Sequence, residues 1–302
     1  MAAVILRRLL AALLAVVMVS ALTFLILHWL RPDAFPPDDR PLAVELGRFL
    51  FDAFVRFEFG GSFVGNRTVA DLIGEGLPTD LSLLLVAVPL GVVAGMAGGA
   101  VCATRPGTLA SRVLEGLAAF FLIAPVFWLG LMATLLFSPE IDAPLELFFF
   151  PAPQSYAPLT SDPLAWLHAM SVPWLVMGAP IAALSLRMTR SALAEVLHEP
   201  YVQTAHAKGL KPGTVLRRHA LPPAAAPVLS LVSVYMSLII GNAVLVELVF
   251  SLPGVLSRTA RAAAIGDFAL LQGLVVVSSA LIVLCTTTAD VVQAGLDPRT
   301  RR

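Results

Sequence analysis

Charge is what this chain has least of. Only 13% of its 302 residues are Asp, Glu, Lys or Arg, and 58% are hydrophobic. Soluble domains carry about 25% charged residues and about 45–50% apolar ones. The composition therefore excludes a soluble globular domain and a disordered chain. Twenty cations balance twenty anions, so no global basic field supports nucleic-acid binding. Cysteine is scarce as well. Cys102 and Cys285 lie far apart inside apolar runs, which suits free core thiols and excludes a disulfide scaffold. Lysine is scarcer still than arginine: eighteen cations are Arg, and Lys208 and Lys211 are the two lysines. Neither follows the glycines of a Gly-x-x-x-x-Gly-Lys phosphate loop, so the chain is not expected to bind or hydrolyse ATP itself, and no cofactor is expected. The histidines offer no metal site. His28 and His168 stand alone. His198, His206 and His219 share one loop but lack an acidic or Cys complement. His198-Glu199 has no second His four residues after His198, which excludes a zinc-peptidase helix.

What fills the sequence is long uncharged runs. A bilayer core needs about 20 apolar helical residues. Runs free of Asp, Glu, Lys and Arg occupy Leu9–Leu27, Leu81–Thr104, Gly116–Pro139, Pro163–Leu186, Ala220–Val246 and Phe268–Ala289. They predict an all-α integral membrane protein of six transmembrane helices. Leu147–Ser161 is shorter and holds Pro151, Pro153 and Pro158, so it reads as a loop. Arg7-Arg8 ahead of the first run resembles a secretory signal. That run is long for one, and His28–Pro32 is a poor cleavage site, so the first span is expected to stay as an anchor.

Loop cations set the orientation. Alternate loops carry thirteen Lys/Arg against seven, which places both termini in the cytoplasm. Nine acids between Asp33 and Asp80 fall on the outer side. The outer segment contains FLFDAFVRFEFGGSF, expected to form a short helix over 41–57 and a packed aromatic cap. Asn66-Arg67-Thr68 fits a glycosylation sequon by chance. Gly91, Gly95 and Gly99 recur at spacings of four and predict a close helix contact. Pro89, Pro125, Pro173 and Pro180 mark kinks. The division is an N-terminal span plus outer segment at 1–75 and a five-span domain at 76–302, with a long cytoplasmic loop at 195–222.

That loop is the most informative stretch. Arg187–Leu221 holds six cations and exceeds the usual length of a passive connection. Pro200 ends the helix that prolongs the fourth span. A helix then runs from Tyr201 to Lys208 and stops at Gly209. Pro212 opens another short helix, and Pro222-Pro223 suits the first turn of the fifth span. Val202, Ala205 and Leu210 supply an apolar side; Lys208, Lys211, Arg217 and Arg218 supply a basic rim. Physics alone leaves two readings open: a loop drawn to anionic lipid heads, or a helix docked in a groove of a soluble partner.

Gln203-Thr204-Ala205, three residues, Gly209, nine residues, then His219-Ala220-Leu221-Pro222 resembles the Glu-Ala-Ala…Gly…Ile-x-Leu-Pro loop of permease subunits in binding-protein-dependent ABC importers. YVQTAHAKGL and RRHAL are similar to the first-permease type of the dipeptide/oligopeptide/nickel transport branch. So are NRTVADLIGEGLPTDLSLLL, APVFWLGL, NAVLVELVFSLPGVLSRTARAA, IGDFALLQG and GLDPRTRR. RPDAFPPDD departs from the family's usual Pro-Gly-Asp-Pro start.

The resemblance implies a type I ABC importer bundle that forms half of a translocation pathway for peptides or a similar small solute. It implies no catalytic residue, no metal and no cofactor of its own. ATP would be bound by two partner ATPase subunits. A second homologous permease, an extracytoplasmic substrate-binding protein and membrane lipid are the other implied partners; nucleic acid is not. ATPase coupling would fall on Tyr201, Gln203, Thr204, Ala205, Lys208, Gly209, His219, Leu221 and Pro222. Glu247, at the outer end of the fifth span, is a candidate pathway residue, with Asp290 a weaker one. The alternatives are an ion-coupled secondary carrier, which should show paired acids deep in the spans, and a nickel- or glycoside-specific member of the same family.

Overall fold

The computed structural model describes residues 2–32, 40–60, 68–137 and 156–296, which are overwhelmingly helical with no β-strand among them. The loop expected over 147–155, the sequon at 66–67, the 33–39 stretch and the 297–302 tail lie outside the described residues, as does the Asp290 side chain. Twelve α-helices follow in order. They are α1 (Ala2–Leu30), α2 (Leu42–Phe51), α3 (Val69–Ser82), α4 (Val88–Thr104), α5 (Leu109–Ile123) and α6 (Val126–Phe137). Then come α7 (Pro163–Val196), α8 (Pro200–Ala207), α9 (Pro212–Val215), α10 (Leu221–Val249), α11 (Val255–Ile265) and α12 (Phe268–Leu296).

Among the described residues five helical runs are long and apolar enough to cross a bilayer, within α1, α3–α4, α7, α9–α10 and α12. The expected third span is not one straight helix. It breaks into α5 and α6, bent by 112°, and makes a sixth crossing only if the bent pair is one span. Pro125 is the cause: it has no N–H and disfavours helical geometry at the residue before it, and Ala124 accordingly turns extended (φ −68°, ψ 126°). Pro89, Pro173 and Pro180 stay inside helices. A π-helical turn at Leu83–Ala87 leads into Pro89, and another at Leu216–Ala220 leads into Pro222 and Pro223. A Pro withholds its donor to the carbonyl four residues back, and a widened turn is one way to absorb the loss.

The helices form two compact units, residues 1–81 with 243–288, and residues 82–242 with 289–302. In the first, Val69, Val255, Ala262, Leu270 and Leu274 make a buried cluster against which Phe59, Leu72 and Leu77 pack. The outer segment forms its expected short helix as α2, prolonged by a π-helical turn at Asp52–Arg56. Among the described residues the expected aromatic cap is only partly packed. Phe49 stacks on Phe24 and Phe59 joins the cluster, but Phe51 and Phe57 stay exposed. The 3.6-residue period of a helix turns part of any aromatic run outward, and Phe57 lies beyond the helical turns in a left-handed conformation.

In the second unit the most extensive pairing is α4 with α7. A Cβ on Gly91, Gly95 or Gly99 would lie 2.6, 2.3 or 2.6 Å from the carbonyl oxygens of Gly178, Ala182 and Leu186. The glycines thus let two backbones touch, which membrane helices favour because lipid removes the hydrophobic drive for looser packing. Asp162 caps α7 by accepting from the Leu164 and Ala165 N–H groups at 3.1 and 3.0 Å. Cys102 and Cys285 are both free thiols.

Candidate functional site

The loop between α7 and α10 folds as α8, a short link, α9 and a π-helical turn. Its helix is bounded by residues that cannot continue it. Pro200 takes the first helical position, where its missing N–H costs nothing. Gly209 adopts φ +74°; its N–H donates to the His206 carbonyl and that of Leu210 to the Ala205 carbonyl. This paired C-terminal bonding needs a left-handed residue, which glycine supplies without strain.

Val202 and Ala205 are buried and pack with Val215, against Val196 and Leu197 at the end of α7. The inward side of α8 is thereby used within the chain. Its other side stands outward: Tyr201, Gln203, Thr204, Lys208 and Gly209 are all exposed. Leu210, expected on the apolar side, is instead 39% exposed, because the left-handed turn at Gly209 carries it off the helix face. Local bonds fix the rest. Tyr201 Oη donates to the His219 carbonyl at 3.4 Å, Gln203 Nε2 to the His198 carbonyl at 3.1 Å and Thr204 Oγ1 to the Pro200 carbonyl at 2.8 Å. His219 and Leu221 are half-buried and Pro222 is exposed. The Leu221 N–H reaches the Leu216 carbonyl, the five-residue step of the π-helical turn. The expected coupling residues thus fall on one short structure, with Ala205 inside and most of the others outside.

The α10–α11 turn holds a second polar cluster. Ser251 takes a left-handed φ of +51°; its N–H reaches the Leu248 carbonyl, and that of Leu252 the Glu247 carbonyl. The reversal carries Gly254 back onto the Glu247 side chain, so closely that a Cβ there would sit 2.0 Å from Oε2. Asp80 then accepts from the Val255 and Leu256 N–H groups at 2.8 and 3.2 Å. Glu247 Oε2 accepts from the Ser257 N–H at 2.8 Å. Three of the four free amides that open a helix are thus satisfied by carboxylates, where the helix dipole favours negative charge. Both acids are fully buried and face one another, and Glu247 Oε1 receives no donor from the described chain. Sequence reasoning singled out Glu247 but not Asp80, which sits one residue before an uncharged run. Nor did it pair either acid with α11; no local pattern marks a contact spanning 167 positions (247 − 80).

No group of three or more His, Cys, Asp or Glu among the described residues could hold a metal ion.

Residues 87–302 match the model of the binding-protein-dependent transport system inner membrane component. A putative peptide transport system permease protein of Brucella abortus strain 2308 is 31% identical, covering 100% of this chain and 99% of its own length. A probable peptide ABC transporter permease protein of Sinorhizobium fredii is 30% identical over 87% of this chain and 82% of its own. The glutathione transport system permease protein GsiC of Escherichia coli K12 is 28% identical over 98% of both. With its membrane-length helices and the Gln203–Pro222 loop folded as one unit, the chain belongs to the family of inner membrane components of binding-protein-dependent transport systems, the permease subunits of ABC importers.

Proposed function

We propose that this chain imports peptides as half of a translocation pathway, and that α8 is where a separate ATPase subunit grips it. The substrate class follows the names of the relatives, which span peptide and glutathione systems. Both termini lie in the cytoplasm in this reading, which the cation asymmetry of the loops supports, so α8 faces the compartment that holds ATP. The partners are a second permease, two ATPase subunits and an extracytoplasmic binding protein. The chain performs no catalysis; ATP is hydrolysed next door.

One observation carries the reading: α8 is anchored from behind by Val202 and Ala205 while Tyr201, Gln203, Thr204 and Lys208 project outward. A loop made only to rest on lipid would turn its apolar side out, not in. Closure of the ATPases on ATP moves α8 as a rigid body, and the bundle follows because docking favours one of its arrangements. Glu247 serves as an outer clamp on α11 rather than a pathway lining, since its Oε2 is spent on the Ser257 amide. Asp80 and Glu247 do form a pair of acids, but at the ends of their uncharged runs rather than deep in the spans, and they are committed to capping a helix.

The test is co-purification of the ATPase with the tagged chain and its sister permease. Gly209→Asn keeps the left-handed turn and adds a side chain to the docking face, where a Cβ meets nothing within 4 Å. Expected is normal assembly of the two permeases with ATPase recovery and uptake reduced together. Full recovery and uptake with Gly209→Asn and Gly209→Trp alike would remove α8 from the interface.

A further inference from the structure

We propose that the cleft between α5 and α7 holds the headgroup of an anionic phospholipid. A cavity of about 410 Å³ opens there, lined by Glu115 and Ala119 of α5 and by Leu186, Arg187, Arg190 and Ser191 of α7. Its position on both helices is telling. Glu115 is the last charge before the uncharged run 116–139, and Arg187 is the first charge after the uncharged run 163–186. The cavity therefore sits at the depth where both helices leave the hydrocarbon, which is the headgroup level.

The polar groups there are arranged for an anion. Arg190 Nη1 is held by Glu115 Oε2 at 2.9 Å, and Glu115 Oε1 accepts from Ser111 Oγ at 2.9 Å. That pair is neutral and fixes the Arg190 fork, which keeps further N–H donors. Arg187 makes no ion pair among the described residues and leaves the cavity with one positive charge. Ser191, one turn on from Arg187, adds a hydroxyl on the same helix face. A guanidinium fork matches phosphate oxygens two at a time. Ala119 and Leu186 form the apolar floor. Farther along these helices, where α6 joins them, lies a largely apolar groove of about 520 Å³, lined in part by Phe120, Phe121, Trp128, Val172 and Val176. Phosphate beside hydrocarbon is the signature of a phospholipid, and basic pockets between spans on the cytoplasmic side take anionic heads. Only the leaflet, not the ligand, depends on the orientation proposed above.

The full chain in detergent is titrated with phosphatidylglycerol, with phosphatidylcholine and, separately, with inorganic phosphate, and bound molecules are counted by native mass spectrometry. Expected is one phosphatidylglycerol held in preference to phosphatidylcholine. Arg187→Gln should weaken it about five-fold, the contribution of one Arg near an anionic surface. Arg112→Gln, on α5 but outside the cavity, should leave it unchanged. Glu115→Gln, which removes the acid and keeps an acceptor for Arg190, should retain or tighten binding. Equal retention of the two lipids, equal loss in the Arg187 and Arg112 variants, or full competition by inorganic phosphate would each overturn the proposal. Because no ATPase takes part, a failed docking test would leave this result untouched.

Discussion

Replacing Gly95 with alanine adds a single methyl group and should destabilise the second unit. The new Cβ would lie 2.3 Å from the Ala182 carbonyl oxygen and 2.6 Å from Ser185 Cβ. Carbon–oxygen contacts normally settle at about 3.3–3.6 Å, so the helices must part by about 1 Å. The obstacle is backbone, and no rotamer change relieves it. A gap of that size forfeits about a quarter to a half of each pairwise attraction along the seam. Overpacking costs about 1–3 kcal/mol, and a rigid obstacle puts this site at the upper end. Alanine returns about 1 kcal/mol of helix propensity, leaving a net loss of about 2 kcal/mol. At about 2–4 °C per kcal/mol, the melting temperature should fall by about 4–8 °C. Cys102, on the same helix and 1% exposed, reports the event. In a Cys285→Ser background, a thiol-reactive fluorogenic dye reads its exposure on heating. Gly116→Ala is the control, since a Cβ there meets nothing within 4 Å; it should leave the melting temperature unchanged or raised. If Gly95→Ala melts at or above the parent, the backbone contact between α4 and α7 does not exist as described.

Asp80→Ala strips the acceptors from the Val255 and Leu256 amides; each buried orphan costs about 1–3 kcal/mol, so proteolysis between α10 and α11 should become readily detectable in membranes. Equal resistance in parent and variant would refute the clamp. Ser251→Gly relieves a left-handed non-glycine residue worth about 1 kcal/mol and should raise the melting temperature by a few degrees, read in a Cys102→Ser background through Cys285; a lower value would mean the serine side chain contributes more than its backbone costs. Asp162→Ala removes both cap bonds of α7 and should cost about 1 kcal/mol, seen as a small fall in the same dye assay, whereas Asp162→Asn should restore most of it.

The sequence displays what is periodic or local. Uncharged runs of bilayer length locate the spans, because each is an independent demand of the hydrocarbon. Pro200 and Gly209 delimit α8 because each acts within a single turn. Gly91, Gly95 and Gly99 announce a close contact, although their partner, α7, emerges only in three dimensions. The break at Pro125 exceeds a simple kink because the extended Ala124 ends one helix before the next begins, and proline alone does not specify which of the two happens: Pro173 and Pro180 are carried through α7 unbroken. Asp80 is invisible for another reason. Counted by residue type, it is one of nine outer acids; only the return of α11 over the start of the second span converts it into a helix cap. Charge counting places acids relative to a membrane but says nothing of the amides they meet.

If α8 is the docking element proposed above, α7 is the element that would carry its movement into the bundle. A lever transmits displacement only if its joints are stiff. The first joint is the seat of α8: buried Val202, Ala205 and Val215 pack against half-buried Val196 and Leu197, and packed apolar interiors deform little. The shaft is a single helix of 34 residues. The far joint is the seam with α4, where Gly91, Gly95 and Gly99 let backbone meet backbone, so that movement of α7 presses directly on the main chain of α4. Leu193 adds a link between the two joints, packing with Ala100 of α4 and with Ala220 and Ala224 at the start of α10. Leu193→Ala opens a cavity at that link and should cost about 2–5 kcal/mol. If α7 is the lever, membranes that still contain folded variant should show ATP hydrolysis less tightly matched to uptake, with ATPase recovery unchanged. Coupling equal to that of the parent at equal folded amounts would show that the movement passes through another helix.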